Sequence, residues 1–373
     1  MSTEATAAIV RESNATRTPL RISGRSNWMT AGRPVRASRN LSLRDDVGVV
    51  SYVPGDLTLT VRAGTPLSDI ERVTREHDQW LPLDPYGSND GTIGATVATA
   101  SAGPLASHFG LPRDLVLGLE FVNGRGDIIR AGGKVVKNVA GFDLSRLLTG
   151  SWGSLGVITE LTLRLYARPM ADRSVAVRLD GSAKESTAFL RAFLNSPLNP
   201  YSVELLSASA ARPLDLGSSQ VCLIRFGGNA AAVDLQLRAL AAIAKSEEVE
   251  TAIWERLRNL EKDAGGIIRI SGPPARFSEV SPMMLSDDFP WMCEYINPVR
   301  GVLRLVLHAS AEAAESDESA LGIDPEVARP RPVRRPKCRE STLPASLRRF
   351  GPAPPRSAPA GELHGRSGGT RRR

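Results

Sequence analysis

The sequence predicts an α+β protein in three parts. Residues 1–170 form a β-rich α/β region, residues 171–310 an antiparallel α+β domain of ferredoxin-like kind, and residues 311–373 a disordered basic tail. Three observations carry this. Short alternating apolar and polar runs surround a Gly/Ser/Ala-rich stretch at 87–104. Strand and helix patterns alternate after Pro169. Beyond about residue 310, large apolar residues nearly vanish. At 373 residues the chain is long enough to build two cores.

In chain order, residues 19–23 read as a short strand running into a turn at Gly24-Arg25-Ser26-Asn27. Residues 41–43 and 48–52 read as further short strands, and 57–63 alternates as a half-exposed strand does. That run stops at Gly64-Thr65-Pro66, where Thr65 is placed to cap a helix with Pro66 at its first position. The helix should run to about His77, with Leu67, Ile70 and Val73 on one face. A hairpin follows: 115–122, a turn at Asn123-Gly124-Arg125-Gly126, and 127–130. Residues 157–166 are dense in Val, Ile and Thr, a strong strand signal.

After Pro169, strands are expected at 175–179, 203–206, 221–226, 267–270 and 301–307. Helices are expected at 184–194, 230–245 and 250–263. The last 45 residues hold 8 Pro, 5 Gly and 13 Lys or Arg against 2 acidic residues. Such a composition buries too little surface to offset its ordering entropy.

Charge excludes one function class. The whole chain is +7, but the 328 residues before Arg329 carry 34 basic and 38 acidic groups. The body is mildly acidic, so a basic folded surface for nucleic acid is not expected. Cys222, Cys293 and Cys338 stand far apart with no CxxC pair, so no zinc or iron–sulfur site is expected from them. The polar N-terminus and the lack of a membrane-length apolar run lead to an expectation of a soluble, cytoplasmic chain with reduced thiols and no direct membrane span.

Two stretches carry chemistry. The first, residues 81–104, reads LPLDPYGSNDGTIGATVATASAGP. Its glycines at 87, 91, 94 and 103 allow close backbone approach, and Thr92, Thr96 and Thr99 add hydroxyls, a combination suited to a pyrophosphate. The alternative is a flexible linker, against which Ala95, Val97, Ala98 and Ala100 suit a small-residue helix packed beside the loop. The second, residues 134–166, sets Asn138 and Gly141 near Asp143 and Arg146, then Gly150, Gly153 and Gly156 before the strand. Taken singly, Asp143 and Arg146 read equally as a surface ion pair and the glycines as turn formers.

Together, TIGATVATASAGP and VVKNVAGFDLSRLLTGSWGSLGVITELTLRL closely resemble the PCMH-type FAD-binding domain of the vanillyl-alcohol oxidase superfamily. Within it, they are most similar to the glycolate oxidase branch and its smaller flavoprotein subunit, with ISGRSNWMTAGRP as the matching early loop. The resemblance covers about residues 15–170 strongly and 171–310 weakly. It implies a two-subdomain fold with FAD between the halves. Ser23, Gly24, Arg25, Ser26 and Asn27 should hold the pyrophosphate, and Pro85, Gly91, Thr92, Ile93, Gly94 and Thr99 should run along the cofactor. Lys137, Asn138, Gly141 and Asp143 would lie near the flavin ring. Gly156, Val157 and Ile158 would meet the adenine or ribose end through backbone groups. Residues 23–28 offer no His or Cys for a covalent link, so non-covalent FAD is expected. The implied function is oxidation of glycolate or another small 2-hydroxy acid, with electrons passed to a second flavoprotein subunit and an iron–sulfur subunit. The rivals are a self-sufficient FAD-dependent 2-hydroxy-acid or sugar oxidoreductase and a non-catalytic flavin-containing assembly subunit.

The sequence also departs from such enzymes. Relatives carry an HxHGDGN-like run, whereas this chain has only His77, His108, His308 and His364, and names no catalytic base. His108 reads as a surface or hydrogen-bonding residue and His308 as core-edge. Arg225, Arg269, Arg300 and Arg304 are either carboxylate partners or exposed strand residues. The Arg/Pro-rich tail replaces the closing segment of relatives, and it is either a frameshifted reading of GC-rich DNA or a basic interaction arm.

Overall fold

The computed structural model describes residues 1–307 apart from 28, 30, 32–34, 88–89, 134–142, 180–182, 263 and 275–291. The 311–373 tail, with Cys338 and His364, lies outside the described residues, as does His308.

Helix α1 (Thr3–Thr16) opens the chain, where the sequence reading placed no element. Its buried face is Thr3, Thr6, Ala7, Val10 and Ser13, so only two aliphatic residues mark it and its hydrophobic periodicity is faint. Ser2 Oγ accepts from the Ala5 N–H as N-cap, and Arg17 ends the helix in the left-handed region at φ 53°. Thr3 Oγ1 donates to Glu120 Oε1 at 2.7 Å, tying α1 to the sheet beneath.

Strands β1 (Leu20–Ser23) and β2 (Arg39–Ser42) pair in parallel. Five more strands form an antiparallel sheet: β3 (Val49–Val53), β4 (Thr58–Arg62), β6 (Val116–Asn123), β7 (Ile128–Gly132) and β8 (Gly156–Arg164), in the order β3-β4-β8-β6-β7. A short pair, β5 (Gln79–Trp80) with β9 (Tyr166–Ala167), lies apart. Leu59, Val61, Leu119, Phe121, Leu161 and Leu163 form the sheet's share of the core. Truncating one such buried leucine to alanine typically costs about 2–5 kcal/mol.

Helix α2 (Leu67–Arg75) buries Leu67, Ile70 and Thr74. Its N-cap is Pro66, with no side-chain bond, which corrects the cap expected from Thr65. The Thr65 hydroxyl instead accepts from the Gly48 N–H at 3.0 Å, tying two loops together. Helix α3 (Ile93–Ala98) follows, then α4 (Ala106–Phe109), α5 (Pro112–Leu115) and α6 (Leu144–Leu148).

Among the described residues from 171 to 307, seven strands build one antiparallel sheet. They are β10 (Ala171–Leu179), β11 (Ser202–Leu206), β12 (Gln220–Gly228), β13 (Glu247–Val249), β14 (Gly266–Ser271), β15 (Met292–Asn297) and β16 (Val302–Leu307). Their order is β13-β10-β12-β11-β15-β16-β14. Helices α7 (Ala183–Leu194), α8 (Ala208–Ala211), α9 (Ala230–Ala241) and α10 (Ile253–Asn259) accompany it. The sequence reading missed β13 and β15. β15 buries Glu294 and Asn297 among its apolar residues, so polar side chains disguise an interior strand. One sheet face carries Leu206, Tyr295 and Arg304, which are cross-strand neighbours. There Leu206 and Tyr295 share a core with Trp254 and Leu257 of α10 and with Tyr86 from the glycine-rich stretch. This face therefore meets the N-terminal region.

Candidate functional site: three converging loops and a polar seam

The first loop, 23–27, leaves β1. Ser23 is anchored, its carbonyl accepting from the Leu43 N–H at 2.8 Å and its hydroxyl bonding Asn40 Oδ1 at 3.1 Å. Gly24 then passes so close to the second stretch that a Cβ would stand 2.4 Å from Thr92 Oγ1. Ser26 adopts φ 68°, and Arg25, Ser26 and Asn27 are exposed. Among the described residues, the backbone N–H groups of these three have no acceptor. Consecutive free amides around a left-handed residue make a concave anion-binding nest, and Arg25 Nη1 lies 4.0 Å from Asp90 Oδ1.

The second loop is fixed by backbone bonds. The Gly91 carbonyl accepts from Leu67 N–H at 3.1 Å, and Ile93 N–H donates to the Thr65 carbonyl at 2.9 Å. Thr92 Oγ1 caps α3 by accepting from the Ala95 N–H. The Gly94 N–H donates to the Ala63 carbonyl at 2.8 Å, and a Cβ on Gly94 would meet Ala63 at 2.7 Å. What Gly94 demonstrably provides is close packing of α3 on the end of β4, with its amide already committed. Thr99 Oγ1 bonds back to the Ala95 carbonyl at 2.8 Å. Further along, the Pro85 carbonyl accepts from Arg258 Nη1 at 3.2 Å.

The third loop, 149–156, closes over the C-terminal end of α3. Gly150 N–H donates to the Val97 carbonyl at 3.1 Å and Trp152 N–H to the Ala98 carbonyl at 2.8 Å, tying the loop to the last turn of the helix. Ile22 of β1 lies 3.0 Å from where a Gly153 Cβ would stand, so this loop also reaches the first. Gly156, Val157 and Ile158 continue into β8 opposite Asn123, Val122 and Phe121, and all three are buried.

The structure thus brings Gly24, Gly91, Thr92, Ile93 and Gly94 together and sets Gly156, Val157 and Ile158 at the exit of the third loop. Asp143 is exposed, caps α6 by accepting from Arg146 N–H at 3.0 Å, and pairs with the Arg146 side chain at 3.2 Å. Lys137, Asn138 and Gly141 lie outside the described residues. The loops fit a dinucleotide: open amides for its phosphates, and glycines where added bulk would close the approach.

A polar seam, missed in the sequence, joins the 84–107 stretch to the seven-stranded sheet. Asn297 Nδ2 donates to Ser107 Oγ and to Glu204 Oε1, both at 2.8 Å, and the Tyr86 hydroxyl donates to Glu204 Oε1 at 3.3 Å. Burial pushes the Glu204 carboxyl up to about 7, against the opposing pull of Asn297, Arg300 and Arg304. Burial likewise raises Asp84 to about 6, although Arg258 and the Leu105 amide favour its charged form. Arg304 binds Glu261 and lies 4.0 Å from the Tyr86 ring centroid. Arg225 is bidentate to Asp172 at 2.9 and 2.5 Å, so that arginine is already paired. The His108 ring lies 4.7 Å from the Tyr201 ring, tilted 46° to it, with burial lowering its pKa. These groups sit in separate sequence segments, and only the interior position of Glu294 and Asn297 in an apolar run could have signalled the seam.

Among the described residues no helix is long and apolar enough to cross a membrane, and no group of three His, Cys, Asp or Glu could hold a metal ion.

Comparison with known proteins agrees with the loops. Residues 1–132 match the family described as FAD binding domain. Glycolate oxidase subunit GlcE of Escherichia coli (strain K12) is 40% identical over 191 residues, covering 51% of this chain and 53% of that protein. Glycolate oxidase subunit GlcD of Bacillus subtilis (strain 168) is 32% identical over 214 residues, covering 54% of this chain and 45% of its own. The chain therefore spans about half the length of these curated relatives. A D-lactate dehydrogenase of Anaerostipes hadrus is 24% identical over 85% of this chain and 68% of its own length. Among solved structures, alkyldihydroxyacetonephosphate synthase superposes with a TM-score of 0.63 at 16% identity, covering 84% of this chain and 68% of its own. Substrate-bound p-cresol methylhydroxylase gives 0.61 at 14%, covering 85% and 76%. Residues 1–132 of this chain thus match an FAD-binding domain, and most of the chain shares its fold with alkyldihydroxyacetonephosphate synthase and p-cresol methylhydroxylase.

Proposed function

We propose that this chain is the FAD-binding subunit of a glycolate oxidase-like complex, oxidising glycolate or a similar small 2-hydroxy acid to the 2-oxo acid. The observation that carries the reading is the union of the loop cradle with the similarity to glycolate oxidase subunit GlcE, 40% identical over 191 residues. Bound FAD would supply the acceptor for the hydride leaving Cα. The chain's own part is to bind and orient. The open amides of Arg25, Ser26 and Asn27 would hold the pyrophosphate, non-covalently. Gly24 and Thr92 would set the spacing between the first two loops. The polar seam would fix the seven-stranded sheet against the cofactor stretch and exclude water from between them. Electrons would then pass to a second flavoprotein subunit and an iron–sulfur subunit.

The test is anaerobic addition of glycolate to the FAD-loaded chain, alone and assembled with those two subunits. Flavin reduced only in the assembly supports the proposal. Flavin reduced by the chain alone supports a self-sufficient 2-hydroxy-acid dehydrogenase, a reading favoured by the long match to D-lactate dehydrogenase. Flavin left oxidised in both settings contradicts both.

A further inference from the structure

Four arginines were singled out in the sequence, and the seam accounts for two of them. Arg225 is occupied by Asp172, and Arg304 by Glu261 and the face of Tyr86. The other two are arranged differently. Arg269 on β14 stands directly across the strand pair from Arg304 on β16. Among the described residues it has no carboxylate or carbonyl partner, and it reaches solvent. Arg300 occupies the turn between β15 and β16. Its N–H donates to Asn297 Oδ1 at 2.9 Å, and a single guanidinium nitrogen reaches the Gly103 carbonyl at 3.4 Å. That contact is long and uses one of five donors, leaving most of the fork open.

Among the described residues, the carboxylates nearest these arginines are already engaged. Glu261 is committed to both Arg304 and Tyr295, and Glu204 takes its hydrogen bonds from Asn297 and Tyr86. Arg269 feels the strain: partial desolvation, then the like charges of Arg300 and Arg304, lower its pKa. Neither Arg269 nor Arg300 forms an ion pair with a carboxylate among the described residues, so both guanidinium groups are available to an anion. The position is informative as well. Gly103 and Tyr86 belong to the glycine-rich stretch, where Arg300 reaches the first and Arg304 lies over the second.

We propose that Arg269 and Arg300 form a binding site for a small carboxylate, gripping it with two guanidinium forks between the β14–β16 edge and the Tyr86–Gly103 stretch. Planar forks match the two oxygens of a carboxylate, which gives orientation as well as attraction. This inference rests on the hydroxy-acid reading above and names the residues that would hold the substrate's acid group. It assigns no step of proton or hydride removal to either arginine.

Calorimetric titration of the full FAD-loaded chain with oxalate, a carboxylate that offers no Cα hydrogen, tests binding apart from turnover. Arg269→Gln and Arg300→Gln should each weaken oxalate binding about ten- to one-hundred-fold with FAD content unchanged. Arg75→Gln, at an exposed ion pair on α2, should leave it unaltered. If either Gln variant loses FAD, the Lys variants at the same positions replace it, and should still bind oxalate more weakly because they lack the fork. Failure of the wild-type chain to bind oxalate, unchanged affinity in the variants, or sulfate binding as tightly as oxalate would each overturn the proposal. Arginine-dependent oxalate binding with flavin that glycolate never reduces would uphold this site while sinking the oxidase reading.

Discussion

Replacing Glu204 with glutamine should remove most of a pH-dependent loss of stability. Glu204 lies on β11 with 1% exposure, and its carboxyl is raised to about 7 by burial. In the unfolded chain the same group titrates near its ordinary value of about 4.3. Between those two values the folded protein holds a proton that the unfolded chain has already released. The contribution is thus fully present below about pH 4.3 and is lost as pH rises through about 7. At about 1.4 kcal/mol per unit, the full loss is on the order of 4 kcal/mol, about 3 of it between pH 5 and 8. Glutamine stays neutral throughout, and its Oε1 can still accept from Asn297 and Tyr86. Urea unfolding of FAD-saturated protein at pH 5, 6.5 and 8 measures the difference. The variant should gain on the wild type steadily over that range, by about 3 kcal/mol at pH 8. Asp84, raised to about 6, stays in both proteins and leaves a residual slope of the same sign in each. Parallel profiles for the two proteins would refute the burial argument.

Other outcomes follow from the loops and the tail. Gly24→Ala should weaken FAD binding about tenfold or more, because its Cβ would overlap Thr92 Oγ1. Adding Thr92→Ala should restore part of the loss in a fluorescence titration, and a purely additive double variant would argue against that contact. Gly94→Val should lower the melting temperature of the cofactor-free chain, since overpacking against Ala63 costs about 1–3 kcal/mol without any ligand. A variant destabilised only in the presence of FAD would place Gly94 against the cofactor instead. Acid precipitation should release the flavin into the supernatant, and flavin in the pellet would mean a covalent link. Deleting residues 329–373 should leave FAD content and melting temperature unchanged while the pI falls from basic to mildly acidic, since the remaining 328 residues carry 34 basic and 38 acidic groups. A large loss of either property would show that the tail completes the fold.

Much of the N-terminal region was legible because its signals are local. β4 and β8 declare themselves by alternation and β-branched density, the β6–β7 hairpin by Asn-Gly, and α3 by its small residues beside the glycines. What escaped was set by tertiary context. α1 hides behind threonines that bury without looking hydrophobic, and β15 behind Glu294 and Asn297. Thr65 carries the chemistry of an N-cap, yet the loop at Gly48 claims its hydroxyl. In the candidate site, glycine spacing pointed to the right segments but not to the job of each residue. Gly94 packs on Ala63 and Asp143 caps α6, tasks that no spacing rule separates from ligand contact. The seam around Glu204 joins residues more than ninety positions apart and left no pattern along the chain.

The central claim is that residues 23–27, 91–99 and 149–158 close on one FAD. Amide hydrogen exchange of the purified chain, with and without saturating FAD, tests it most directly. The account predicts slowed exchange in all three segments, strongest at Arg25, Ser26 and Asn27, whose amides would gain phosphate acceptors. Protection confined to the seven-stranded sheet, or no change in exchange despite bound flavin, would contradict it.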